Sequence, residues 1–298
     1  MTATRDPWVH TFETTLPADR ERVFAALTTT EPLMCWFADH VQVELREGGA
    51  FRFWGRHSYG TPDGADANQR VTRLEPPTAL AFSWQFEGVP SEVTLTATPA
   101  EPDKDGARTT LELRHSFPAG LNVPWSEELV DDLWRLTLGN LQAYLRGGDG
   151  VVLPDYTDPN PEIRLSIVIN APRDRVFRAL IEPDAMNTWL STAADVDPRV
   201  GGHYRYGWTY KVKDRDVAGG PTTILGLVPN ERLVTDWLDW RGDDTRPPTR
   251  LAWLLDDVPG GTQVTLVHGG FSRVVDQGDY PFGWVYFVET LKATVETT

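Results

Sequence analysis

A chain of 298 residues that is 40% hydrophobic is long enough for about two domains of roughly 100–200 residues each, with enough apolar side chains for each to bury its own core. Its formal charge of −15 speaks against nucleic acid or an anionic membrane surface as a partner, since both are gripped through Lys and Arg that displace counterions. A single cysteine excludes an internal disulfide framework and suits a reducing compartment, and the lack of any run of ~18 apolar residues excludes a membrane-spanning helix.

The opening stretch, MTATRDPWVH, has no basic region followed by an apolar one, so a cytoplasmic location is expected. HTFETTL (10–16) alternates like a strand, Pro17 suits the first turn of a helix, and Val23, Phe24 and Leu27 follow helical spacing. A second short helix runs into Trp36, with Cys35 read as a small buried hydrophobe. Gly48-Gly49, Glu75-Pro76-Pro77 and PDKDG (102–106) then punctuate a train of strands at hairpin spacing. The half closes on a long amphipathic helix carrying Trp134, Leu138, Leu141 and Leu145. The Gly- and Pro-rich stretch GGDGVVLPDYTDPNPE (147–162) reads as a linker.

After that linker the pattern returns. Val23-Phe24, Trp36, Gly48-Gly49, Arg52, Leu80, Trp84 and His115 recur as Val176-Phe177, Trp189, Gly201-Gly202, Arg205, Leu233, Trp237 and His268, each 153 positions on. EIRLSIVIN (162–170), Pro172, Val228-Pro229-Asn230 and DVPGG (257–261) repeat the strand, helix and turn marks. Trp284, Val288, Leu291 and Val295 repeat the closing stripe at an offset of 150. A period this long is a whole domain rather than a solenoid unit. The expected organisation is a first domain over 1–147, a linker over 148–160 and a second domain over 161–298. Each domain is an α+β module whose curved antiparallel sheet of about seven strands wraps a long C-terminal helix, with two short helices beside it.

Strand periodicity assigns the interior faces. Phe51, Phe53, Gly55 and His57 share one face, matched by Tyr204, Tyr206, Trp208 and Tyr210; Leu80, Phe82, Trp84 and Phe86 share another, matched by Leu233, Thr235, Trp237 and Asp239. The first interior is mostly hydrocarbon, while the second offers phenols, indoles and a carboxylate. Rings of this kind pack as core, yet buried O–H and N–H groups want partners, and polar edges on aromatic walls suit a ligand. The expected ligand-binding residues are therefore Trp189, Tyr204, Tyr206, Trp208, Trp237 and Trp284 in the second domain, with Phe51, Phe53, Trp84 and Trp134 in the first. A dry void of roughly 300 Å³ would cost about 7 kcal/mol, comparable to a domain's whole stability, so any such pocket must be wet or filled. The polar loops 58–68 and 211–220 are the expected lips. Arg52, Arg205 and Trp54 are assigned to the outer face.

The pattern PxxRVFxAL, a short helix ending in W-F or W-L, GG before an aromatic-Arg-aromatic strand, P-P-x-x-L-x-x-x-W and a strand ending in His resembles the helix-grip, START-like SRPBCC superfamily. Within it the pattern resembles the proteins related to the activator of heat-shock-protein-ninety ATPase. The resemblance covers nearly the whole chain and implies the fold just described, with a cavity between sheet and C-terminal helix. The superfamily includes lipid and hormone carriers, polyketide aromatase/cyclases, self-sacrificing antibiotic-resistance proteins and co-chaperones, and the tandem arrangement resembles the two-domain aromatase/cyclases.

No HExxH, paired CxxC, GxSxG, GxxxxGK[ST] or helix-opening GxGxxG occurs, so no metal and no cofactor is expected. His115 and His268 each precede the closing helix. One account has them fasten the strand end through a backbone carbonyl; the other makes them a general acid or base at the pocket mouth. His268 and Asp239 are the candidates for catalysis, and Asp236, Asp243 and Asp244 are read as a charged loop. Three readings follow: a binder of a small apolar or aromatic molecule, with the second domain favoured; a polyketide cyclase-type enzyme using Tyr204, Tyr206, Asp239 and His268; or an interaction module with a protein partner, or a homodimer, engaged through the sheet exterior.

Overall fold

The computed structural model describes residues 7–212, 214–242 and 245–297. The chain forms two compact units, one of residues 1–159 with 273–279 and one of residues 160–272 with 280–298.

In the first unit β1 (Trp8–Leu16) leads to α1 (Arg20–Thr28) and α2 (Thr30–Trp36). Asp19 caps α1 by accepting a hydrogen bond from the Arg22 N–H at 2.8 Å, so Pro17 lies ahead of the cap rather than inside the first turn. Strands β2 (His40–Val43) and β3 (Phe51–Trp54) form a ribbon. Strands β4 (Val71–Glu75), β5 (Ala79–Phe86), β6 (Val89–Asp103) and β7 (Gly106–Phe117) form an antiparallel sheet with β1, in the order β1-β7-β6-β5-β4. The ribbon joins that sheet through the Ala50–Arg70 bridge and the Phe51 N–H, which donates to the Gln69 carbonyl. Helix α3 (Ser126–Leu145) presents Leu133, Trp134, Leu138, Leu141 and Leu145 to the core.

The second unit repeats the plan. It comprises β8 (Glu162–Ile169), α4 (Arg173–Ile181), α5 (Pro183–Met186), the ribbon β9 (Asp195–Val196) with β10 (Tyr204–Arg205), and a hairpin of β11 (Thr209–Val212) with β12 (Arg215–Ala218). Strands β13 (Ile224–Val228), β14 (Arg232–Trp237), β15 (Thr249–Val258) and β16 (Gly261–Gly269) complete a sheet of order β13-β14-β15-β16-β8, the first unit's order with its elements renumbered. Helix α6 (Tyr280–Thr297) closes it. Among the described residues seven strands thus make the first unit and nine the second, the surplus being the β11–β12 hairpin. That hairpin arises because the stretch 201–210, which alternates like one strand, breaks at Gly207. There φ is +73°, and a Cβ would sit 2.8 Å from the Ala193 carbonyl oxygen.

Four fasteners recur at equivalent positions. The Trp36 and Trp189 indoles donate to the carbonyls of Ala26 and Ala179, at 3.1 and 2.9 Å. The Thr109 and Thr262 hydroxyls donate to those of Ala18 and Ala171, at 2.8 and 2.7 Å. Arg22 and Arg175 donate to Leu145 and Val295, satisfying carbonyls in the last turn of each long helix. The fourth is a pair of histidine relays, described below. Cys35 departs from expectation: it is exposed, because α2 buries Leu33 and Trp36 and turns the intervening positions outward. Arg52 is half-buried and Arg205 exposed, both opposite the inward rings of their strands; Trp54, half-buried on the same face as Arg52, lies tilted against His40 rather than entering the core.

Candidate functional site

The two histidines, at equivalent positions of their units, are fully buried. The Trp134 indole N–H donates to His115 Nδ1 at 3.2 Å, and the Trp284 indole donates to His268 Nδ1 at 3.0 Å. With Nδ1 accepting, the ring's own proton is on Nε2, which donates to the Ser91 hydroxyl at 2.9 Å in one unit and the Thr249 hydroxyl at 2.8 Å in the other. Those hydroxyls pass on to the carbonyls of Trp84 and Trp237. Burial pushes both imidazoles down to about 3, with a small push from His10 at His115, so both are neutral at physiological pH. The partners are an indole and a hydroxyl instead of the expected backbone carbonyl, and both ring nitrogens of His268 are engaged inside the core.

The space between sheet and helix differs between the units. In the first it holds a cavity of about 20 Å³, room for one water. Phe53 from β3, Trp84 from β5, Trp36 and Phe37 at the end of α2, and Leu133, Leu136, Thr137 and Asn140 from α3 line it. The α3 positions fall at helical spacing, so one face of that helix forms the wall. The Trp84 indole N–H is buried and finds no acceptor among the described residues, a costly state for a polar group away from water. Phe51 and Trp134 belong to the same core but stand behind the lining.

The cavity is covered by a strap, residues 151–156, from the stretch that reads as linker. Asn140 grips it with two bonds: its side-chain amide donates to the Val152 carbonyl at 2.8 Å and its oxygen accepts from the Val152 N–H at 2.7 Å. The Tyr156 N–H donates to the Arg56 carbonyl at 2.8 Å, and His57 Nδ1 lies 2.7 Å from the Pro154 carbonyl oxygen. Pro154 and Tyr156 join His57 and Tyr59 in the lining. The Tyr156 ring meets Tyr59 edge-on at 5.3 Å, and the Tyr59 hydroxyl donates to Glu87. Burial raises both phenols well above their ordinary range, with Glu87 adding to the effect at Tyr59, so both are neutral donors.

The second unit fills the corresponding region. Where the first has Gly55 and Thr137, it has Trp208 and Phe287, stacked with centroids 5.4 Å apart. Where Trp84 has no acceptor, the Trp237 indole donates to the Tyr280 hydroxyl at 3.0 Å. Trp189, Tyr204, Tyr206, Trp237 and Trp284 are all buried in one cluster with Trp253, while Trp208 is half-buried and donates to the Leu190 carbonyl. Tyr204 donates to the Leu180 carbonyl; the Tyr206 hydroxyl lies close to Tyr204 and the Trp253 indole without reaching hydrogen-bond geometry. Burial raises both of these phenols as well.

Asp239 lies beyond the end of β14. Its carboxylate pairs with Arg246 at 2.8 Å and accepts the Arg241 N–H, while Asp236 accepts the backbone N–H groups of Thr222 and Thr223. Asp243 and Asp244 lie outside the described residues. A surface groove of about 460 Å³ runs between α4 and the end of α6, bordered by Arg175, Arg178, Glu182 and Thr294; Tyr144 occupies the position equivalent to Thr294 in the first unit and packs on its core. Among the described residues no group of three or more His, Cys, Asp or Glu is placed to hold a metal ion, and no helix is long and apolar enough to cross a membrane.

Sequence reasoning named the rings, placed His57 on the inner face and put Tyr59 in a lip loop, but missed Asn140, Pro154 and Tyr156. One signal was available: Asn140 and Thr137 are polar residues on a helix face otherwise built from leucines.

The sequence matches the family described as Activator of Hsp90 ATPase homolog 1-like protein twice, over residues 17–146 and 170–296. No curated protein matches it significantly. Among solved structures it is similar to DynU16, a protein of the dynemicin biosynthetic locus, at 19% identity and a TM-score of 0.40, over 96% of this chain and 98% of that one. It is also similar to the di-domain ARO/CYC BexL from the BE-7585A biosynthetic pathway, at 16% identity and a TM-score of 0.38, over 97% and 98% of the two chains. The Aha1 dimer from Colwellia psychrerythraea is similar at 20% identity and a TM-score of 0.36, over 46% of this chain and 96% of that one. The chain belongs to the Activator of Hsp90 ATPase homolog 1-like family and carries two tandem copies of its domain.

Proposed function

We propose that this tandem family member binds a small apolar or aromatic molecule carrying a hydrogen-bond acceptor, and that the site is the sheet–helix space of the first unit. One observation carries the reading: a buried indole N–H, that of Trp84, stands without an acceptor on the wall of an aromatic cavity. A ligand oxygen there would relieve that cost, and the rings would hold the ligand by burial. A cavity the size of one water admits nothing larger while the strap is down, so the ligand enters by displacing Pro154 and Tyr156. The second unit acts as scaffold, because Trp208 and Phe287 stack across that region and the Trp237 indole, the counterpart of Trp84, donates to the Tyr280 hydroxyl. This shifts the favoured site from the second half, where composition pointed, to the first.

Fluorescence titration with 2-naphthol, an aromatic hydroxyl compound, tests the reading. Saturable quenching is expected, and Trp84→Phe, which keeps an aromatic ring and deletes the N–H, should weaken binding about fivefold to tenfold, the worth of one hydrogen bond. Unchanged affinity in Trp84→Phe would remove the observation on which the proposal stands.

A further inference from the structure

We propose that the groove between α4 and the end of α6 in the second unit is a site for a small aromatic monocarboxylate, separate from the sheet–helix space of the first unit.

The groove arises from two replacements that meet at one helix crossing. In each unit an arginine of the early helix donates to the last turn of the long one, Arg22 to the Leu145 carbonyl and Arg175 to that of Val295, so the two crossings correspond residue by residue. One replacement removes a ring: the first unit has Tyr144 here, half-buried against its core, where the second has Thr294. The other adds a charge: Ala25 of the first unit is Arg178 in the second. The result is a groove of about 460 Å³, with Ala179 and Val295 buried beneath it and Arg178 and Glu182 exposed along it.

Charge and shape together define the occupant. The Arg178 guanidinium makes no hydrogen bond or ion pair among the described residues, in a chain whose 43 Asp and Glu outnumber its 28 Lys and Arg. Arg175 is engaged with the Val295 carbonyl and offsets the negative end of α6, so Arg178 is the group left to meet an anion. Two arginines against Glu182 leave one positive charge along the groove, which suits a carboxylate and disfavours a phosphate dianion. The planar fork of a guanidinium takes a carboxylate through two parallel hydrogen bonds. The first unit shows what suits the rest of the space: an aromatic ring, that of Tyr144, belongs at this crossing. A ligand ring in the equivalent place rests on Ala179 and Val295 and gains by burying its face, while its carboxylate reaches Arg178.

Titration of the full chain with 2-naphthoate, followed through the backbone amide NMR signals, tests the site. Saturable shifts are expected at Arg178, Ala179, Thr294 and Val295, and the affinity should fall with added salt. Arg178→Gln should weaken binding about fivefold, the upper range for an exposed ion pair. Thr294→Tyr, which restores the first unit's ring, should abolish it. 2-Naphthol, with the same rings and no carboxylate, should leave these amides unmoved. No saturable shift at millimolar naphthoate, or equal affinity in the wild type and Arg178→Gln, would overturn the site. Thr137→Phe separates this proposal from the cavity reading. Naphthoate binding that Thr137→Phe abolishes lies in the first-unit cavity and refutes the groove, whereas groove shifts that persist in Thr137→Phe uphold it whether or not 2-naphthol enters the cavity.

Discussion

One frame encloses two different interiors. Both units keep the histidine relay, the Trp36 and Trp189 latches, the Thr109 and Thr262 staples and the arginine that caps the long helix. What differs is a small set of side chains over the sheet–helix space. Trp208 and Phe287 fill that space in the second unit and Tyr280 accepts from the Trp237 indole, while Gly55, Thr137 and Val130 at the equivalent positions leave the first with a cavity, a Trp84 indole without an acceptor and a strap laid on from outside. Fold and ligand space are therefore separable: the polar fasteners fix the first, and two or three side-chain volumes decide the second.

The largest effect should appear where the units are alike. His115→Ala and His268→Ala each remove a buried ring and strand an indole N–H and a hydroxyl, so each should cost about 3–5 kcal/mol in urea unfolding. A near-zero cost in one unit would break the equivalence of the relays.

The same histidines make stability depend on pH. Below about 6.5 the unfolded imidazole takes up a proton that the folded one, held at about 3, refuses. Their contribution is complete above pH 6.5 and is lost as pH falls toward 3, at up to about 1.4 kcal/mol per pH unit for each ring. Unfolding measured at pH 6.5 and pH 5 should therefore differ by up to about 3 kcal/mol for the two rings together, since the unfolded ring is already half protonated at pH 6.5. Equal stabilities at these two values would mean that the rings are not buried as neutral groups.

Opening the filled unit tests the contrast from the other side. Trp208→Ala removes half of the Trp208–Phe287 stack and should cost about 2 kcal/mol, less than a fully buried tryptophan because this one is half-exposed. Calorimetry of this variant should also reveal a second, weaker site for 2-naphthol. No loss of stability would show that the stack is not what fills the space.

Much of the frame was legible from the offset alone, because Trp36 and Trp189, His115 and His268, and the closing stripes have to meet the same partners in both copies. The interior was less so. Tyr204, Trp208 and Trp237 suggested polar edges in need of a ligand, but Leu180, Leu190 and Tyr280 meet that need, and these partners are distant in sequence. Alternation through 201–210 gave no warning of the break at Gly207, since a positive φ leaves no mark on hydrophobic periodicity. The strap reads as a linker because Gly and Pro dominate the segment; what ties it down, the Asn140 amide and the His57 ring, lies elsewhere in the chain. Cys35 was misplaced by its apolar neighbours, although a seven-residue helix buries only one side.

The most direct test of the difference between the units is binding stoichiometry by native mass spectrometry with 2-naphthol, for the wild type and for Thr137→Phe, which puts the second unit's ring into the first unit's cavity. One molecule per chain, lost in Thr137→Phe with the fold retained, is the predicted result. Two molecules per chain, or one that Thr137→Phe leaves undisturbed, would contradict it.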